Sequence, residues 1–167
     1  VGTSKSGRYL NTDGSRFKVS DFAAVHSNEG TFKYTLVHEN GKFVRKLVLK
    51  GGGHGQDGMD LLDKYHIEYN VTKTYSNGVR LGNVFGKKTK SRDKRIKKQA
   101  WFPKSWTEKD IRNAGEYVAK LKHNRDSPET ILFGTWRGVR IGIILTKGKI
   151  GTVYPTYDQE EKNGGDE

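Results

Sequence analysis

The sequence predicts an α+β fold in which two helix-plus-antiparallel-sheet units lie side by side with an active-site cleft between them. Three observations carry that expectation. Asn77-Gly78-Val79-Arg80-Leu81-Gly82-Asn83-Val84 is echoed by Arg137-Gly138-Val139-Arg140-Ile141-Gly142-Ile143-Ile144, and each copy follows a helical stretch and a strand. Elsewhere apolar and polar residues alternate in short runs joined by Gly-containing turns, as antiparallel hairpins require. Between the two copies stands one stretch, 108–122, whose Ile111, Ala114, Val118 and Leu121 fall on a single helical face.

Taken in order, the first twenty residues are rich in Ser, Thr, Gly, Lys and Asn, and 1–30 is expected to be a loosely ordered N-terminal segment. Strands over 31–37 and 43–49 flank the turn Glu39-Asn40-Gly41-Lys42, which makes a hairpin. Met59, Leu61, Leu62 and Tyr65 mark a short helix ending near His66, followed by strands over 67–74 and 79–85 around Ser76-Asn77-Gly78. The run 87–98 carries eight basic residues and one acid, and its self-repulsion predicts a loop or mobile hairpin. An aromatic knot, Trp101-Phe102-Pro103-Lys104-Ser105-Trp106, precedes the amphipathic helix, with Thr107 and Asp110 spaced as a capping box. Strands over 130–136, 139–146 and 150–154 complete a folded domain expected over 31–157. It divides into an N-lobe of about 31–100 and a C-lobe of about 101–157, and 158–167 forms an acidic tail.

Lys and Arg number 31 against 19 Asp and Glu, a net charge of +12. A surplus of this size favours a polyanion, because each neutralised phosphate releases counterions. Nucleic acid fits better than a membrane, since no apolar stretch is long enough to span one. Without cysteine there is neither a disulfide framework nor a thiolate metal site. The start at Val1 is read as that of a segment excised from a longer polypeptide.

The chemistry centres on Gly51-Gly52-Gly53-His54-Gly55-Gln56. Such glycines are expected to bring a polyanion close to backbone N–H groups, beside an imidazole that titrates near neutrality. RNA carries its own nucleophile, the 2′-hydroxyl, so cleavage needs only a base, an acid and a cation. DNA lacks that nucleophile. The five histidines, at 26, 38, 54, 66 and 123, show no HExxH pattern, and the glycines lack the Gly-Lys-Ser/Thr of a Walker loop. No metal or cofactor is expected. His38 and His66 compete for the place of second histidine, while His26 and His123 read as ordinary surface residues. A non-catalytic basic RNA-binding module is the alternative.

Gly51-Gly52-Gly53-His54-Gly55-Gln56, Trp101-Phe102-Pro103-Lys104-Ser105-Trp106, the paired Gly-Val-Arg-x-Gly strands and Gly151-Thr152-Val153-Tyr154-Pro155 together resemble the EndoU endoribonuclease domains of bacterial polymorphic and contact-dependent growth inhibition toxins. The resemblance implies a His-His-Lys endoribonuclease that cleaves RNA by metal-independent transphosphorylation to a 2′,3′-cyclic phosphate. By the same resemblance His54 is the general base and Lys104 the cation, with Tyr154 and Thr152 holding the substrate. The second histidine, the general acid, is assigned to His38, at a strand end 16 positions before His54, with His66 as its rival. Lys87, Lys88, Lys90 and Arg92 are expected on the RNA backbone. It further implies a tRNA substrate, a cognate immunity protein, and delivery to a target-cell cytoplasm as the C-terminal part of a larger secreted toxin.

Overall fold

The structure is a computed structural model that describes residues 15–86 and 96–160. A 3-10 turn, Ser15–Phe17, leads to helix α1, Asp21–Asn28. Ser20 starts α1 by accepting the Ala23 N–H at 3.1 Å on its Oγ, which satisfies one of the donors that a helix start leaves over. Ala23 and Ala24 are buried against the C-terminal core, and Ser27 Oγ accepts the Val153 N–H at 2.9 Å. Residues 21–28 are therefore a packed helix, not part of a loose leader. Its eight residues have a weak apolar face, so periodicity alone did not reveal it.

Strands β1, Thr31–Glu39, and β2, Lys42–Gly51, pair antiparallel across Asn40 and Gly41. Both turn residues have positive φ, 50° and 79°, the two-residue turn whose twist suits a hairpin. Helix α2, Gln56–Lys64, follows, then β3, Tyr69–Thr74, β4, Arg80–Phe85, and β5, Ile96–Trp101, in a three-stranded sheet. Helix α3, Glu108–Lys120, has the expected capping box: Thr107 Oγ1 accepts the Asp110 N–H, and the Asp110 carboxylate accepts the Thr107 N–H. Leu121 leaves helical geometry (ψ 143°), and one further turn, α4, Lys122–Arg125, leads to β6, Ile131–Trp136, β7, Val139–Thr146, and β8, Lys149–Pro155. These form a second three-stranded sheet of the same order as the first. Helix-plus-sheet thus occurs twice, as the echo predicted, with a third strand in each copy. No described helix is long and apolar enough to cross a membrane.

The end of β5 joins the two units. Consecutive strand residues face opposite sides, so Trp101 enters the core of Leu49, Met59, Leu62, Ile67 and Val84, while Phe102 enters the larger core built on α3 and β6–β8. Both rings are 0% exposed. Burying a side chain of this size stabilises by roughly 2–3 kcal/mol, so each ring anchors its own core.

Candidate active site

The glycine loop is built onto the end of α1. The last carbonyls of a helix lack intrahelical partners. Here the N–H groups of Gly53, His54 and Gly55 donate to the carbonyls of His26, Ser27 and Asn28 at 2.9, 2.6 and 3.0 Å. Gly52 and Gly53 have φ of 68° and 73°, and a Cβ on Gly52 would stand 2.1 Å from the His26 carbonyl oxygen. Close backbone approach therefore explains these glycines. The expected phosphate cradle is corrected accordingly, because those three N–H groups are occupied by the helix.

Strand β5 closes the loop from the other side. Buried Gln99 donates its Nε2 hydrogens to the carbonyls of Gly52 at 2.9 Å and Gly53 at 3.3 Å, and the Phe102 N–H donates to the His54 carbonyl at 2.7 Å. His54 Nδ1 lies 2.9 Å from the Ala100 carbonyl. A carbonyl only accepts, so Nδ1 carries the hydrogen and Nε2 keeps its lone pair. Burial pushes the His54 pKa down to about 4; the Ala100 bond opposes this, and Lys97 and His26 add to it. The ring is neutral at pH 7 with a basic nitrogen available.

His26, in the last turn of α1, is the histidine brought next to His54. Its ring packs over the loop, with Cε1 3.6 Å from the position of a Cβ on Gly51, and its Nδ1 is 2.7 Å from Thr31 Oγ1. Burial lowers its pKa, and Lys97 and Lys50 lower it further. Lys97 thus acts electrostatically on both rings. It stands on β5 two residues before Gln99, on the strand face that Gln99 turns toward the loop.

Other expected site residues are distributed differently. His38 is exposed near the hairpin tip, paired with Phe43, and eight strand positions at ~3.3 Å each put Phe43 roughly 26 Å from Gly51. His66 follows the far end of α2 and lines a separate cavity with Glu39, Lys46 and Glu68. The structure brings neither to His54. Lys104 is exposed in the turn closed by the Trp106 N–H on the Pro103 carbonyl, and Lys97, not Lys104, is the lysine acting on both imidazoles. Lys87, Lys88, Lys90 and Arg92 lie outside the described residues.

Tyr154 does lie beside His54, with ring centroids 6.1 Å apart. The two rings, with Phe133, Arg140, Pro155, Thr156, Tyr157 and Asp158, line a cavity of about 420 Å³. Thr152 shares a strand face with Tyr154 but not that lining, where Thr156 appears instead. Lys98 reaches the cavity rim, its Nζ 4.6 Å from the Tyr157 ring centroid. Sequence reasoning missed His26 and Lys97. The signals available were a Ser20 cap ahead of Ala23-Ala24, which puts His26 on a helix end, and the alternation Lys97, Gln99, Trp101, which makes the end of the basic run a strand.

A basic α+β protein that aims a neutral, pinned imidazole at an aromatic-walled cavity is equipped as a nuclease. Residues 40–157 match the family model for the Bacterial EndoU nuclease, and the chain belongs to that family. Membership supports an endoribonuclease with RNA as substrate. The matched span includes His54, Lys97, Lys104, Thr152 and Tyr154, and begins after both His26 and His38. No curated protein and no solved structure matches the chain at a significant level.

Proposed function

We propose that the chain is a metal-independent endoribonuclease toxin that cleaves RNA by internal transphosphorylation. His54 Nε2 takes the proton of the 2′-hydroxyl, and the freed oxygen bonds to the adjacent phosphorus. The bond from phosphorus to the 5′-oxygen breaks, and His26 protonates the leaving oxygen. Lys97 offsets the negative charge that grows on the phosphate, and the products are a 2′,3′-cyclic phosphate and a 5′-hydroxyl. Burial lowers the His26 pKa as it does that of His54, and the arriving phosphodiester anion favours the charged His26 imidazole that supplies the proton. His54, the ring held down to about 4, remains the base.

The observation carrying this reading is the docking of the His54 loop onto the helix end that bears His26, across three backbone hydrogen bonds. Tyr154 provides a stacking surface for a base or sugar beside the reacting groups. The toxin setting rests on the motifs set out above: tRNA as substrate, delivery into the cytoplasm of a competing bacterium, and an immunity protein that presents acidic groups to the basic site. Incubating the protein with total RNA in EDTA, then analysing the ends, tests the reaction. Cyclic phosphate and 5′-hydroxyl ends are expected; intact RNA defeats the enzyme reading and leaves a binding module.

A further inference from the structure

The β1–β2 hairpin is a two-stranded sheet, and its two faces have different surroundings. Phe32 pairs with Leu49, Tyr34 with Leu47, Leu36 with Arg45 and His38 with Phe43, so alternation sets these residues on one face. At the hairpin base that face is covered: Leu49 and Phe32 join the core of Met59 and Leu62, and the Phe32 ring lies 5.3 Å from Tyr65. Farther out it is bare. Tyr34 and Leu36 are each 59% exposed and Phe43 71%, and His38 and Arg45 are exposed beside them. The other face is occupied at Val37 and Val48, which are buried and line a cavity with Ile67 and Phe85.

The chemistry of the bare strip is specific. The Arg45 guanidinium carbon sits 4.6 Å from the Tyr34 ring centroid, and the His38 ring meets Phe43 edge-on at 5.0 Å. Over 31–51 the hairpin carries Lys33, Lys42, Arg45, Lys46 and Lys50 against a single acid, Glu39. That carboxylate is paired with Lys46 on the opposite face. The outer strip therefore presents aromatic rings with the Arg45 guanidinium and no acidic side chain, while Lys33, Lys42, Lys46 and Lys50 stand on the other face of the same two-stranded ribbon. Rings that stack bases on one face and cations close by that neutralise phosphates suit unpaired RNA. A protein partner would use Tyr34, Leu36 and Phe43 as apolar anchors, but Arg45 on the strip and the net positive charge of the hairpin behind it match the polyanion that the chain as a whole attracts.

We propose that the outer face of the β1–β2 hairpin is a second RNA-contact surface, gripping the substrate roughly 13–26 Å from the glycine loop. The proposal rests on the endoribonuclease reading and adds to it a reason for long RNA to be preferred over short. His38 then belongs to this strip.

The test is the full chain carrying Tyr34→Ala, Phe43→Ala and Arg45→Ala together, assayed on a folded RNA the length of a tRNA and on a dinucleotide too short to reach the hairpin. KM for the folded RNA is expected to rise about tenfold or more, the scale of lost base stacking, while dinucleotide cleavage stays within about twofold. A second comparison places the triple change in a His54→Ala background and measures the dissociation constant for the folded RNA directly; it should weaken by a similar factor. An unchanged dissociation constant overturns the proposal. So does a self-association of the parent chain that the triple variant abolishes with RNA affinity intact, which assigns the strip to a second copy. Should the parent chain cleave neither RNA, the reaction reading fails, and the dissociation constants still decide the strip.

Discussion

Arg80 and Arg140 occupy the same place in two copies of one motif, in sheets of the same order, and do different work. Arg80 turns inward: Nη1 donates to Gln56 Oε1 at 2.6 Å and Nη2 to the Phe102 carbonyl at 2.5 Å, which ties β4 to α2 and to the junction between the cores. Arg140 is exposed at the mouth of the His54 cavity, its guanidinium carbon 5.1 Å from the Phe133 ring centroid. The glycines two residues on diverge likewise. A Cβ on Gly82 would meet the Asn70 carbonyl oxygen at 1.8 Å, whereas one on Gly142 would meet the Tyr154 ring at 2.4 Å. A shared motif thus records a shared backbone path, and whatever lies across from it decides whether a position serves the scaffold or the site.

The N-terminal unit carries His54, the base of the proposed reaction, and the C-terminal unit a wall of the cavity, so the largest effects are expected from the former. His54→Ala should retain its fold and lose cleavage by a hundredfold or more, read from kcat beside a melting curve. Undiminished kcat in a folded variant removes His54 from the reaction. Next come the glycines. Gly82→Ala pushes a side chain into backbone and should cost on the order of 2–3 kcal/mol in denaturant unfolding. Gly142→Ala can be accommodated by swinging the Tyr154 ring, so KM should rise more than stability falls. Equal stability losses at both positions would erase the distinction.

The arginines sharpen it on a smaller scale. Arg80→Ala strips donors from two partly buried acceptors and should cost about 1–3 kcal/mol, while Arg140→Ala stays within about 0.5 kcal/mol and weakens RNA binding. Acid acts on the two rings themselves. Because the folded pKa values of His54 and His26 lie below the ordinary 6.5, the unfolded chain takes up protons first as pH falls. The stability associated with these neutral rings is complete above about 6.5 and declines toward about 4. The decline in denaturation midpoint should be shallower in His54→Ala, and identical slopes would contradict the burial of that ring.

Strong periodicity and turn chemistry made most of the fold legible. The Asn40-Gly41 hairpin, the capped helix α3 and strands β6–β8 were readable because each local signal agrees with its tertiary setting. Helix α1 was not, since its stability comes from a serine cap and from packing contacts distant in sequence. Strand β5 was hidden because Lys97 and Lys98 continue a run of charge that reads as loop until Gln99 is seen bonding the glycine loop. At the site, His54 announced itself through its glycines and Tyr154 through its motif. The pairing of His54 with His26 arises from a helix end seeking donors, a long-range fact that spacing along the chain does not carry.

The most direct test compares His26→Ala with His38→Ala at saturating RNA. The account predicts that kcat falls by a hundredfold or more in the first and stays near the parent value in the second, with both proteins folded. A normal kcat for His26→Ala together with a collapsed one for His38→Ala would contradict it.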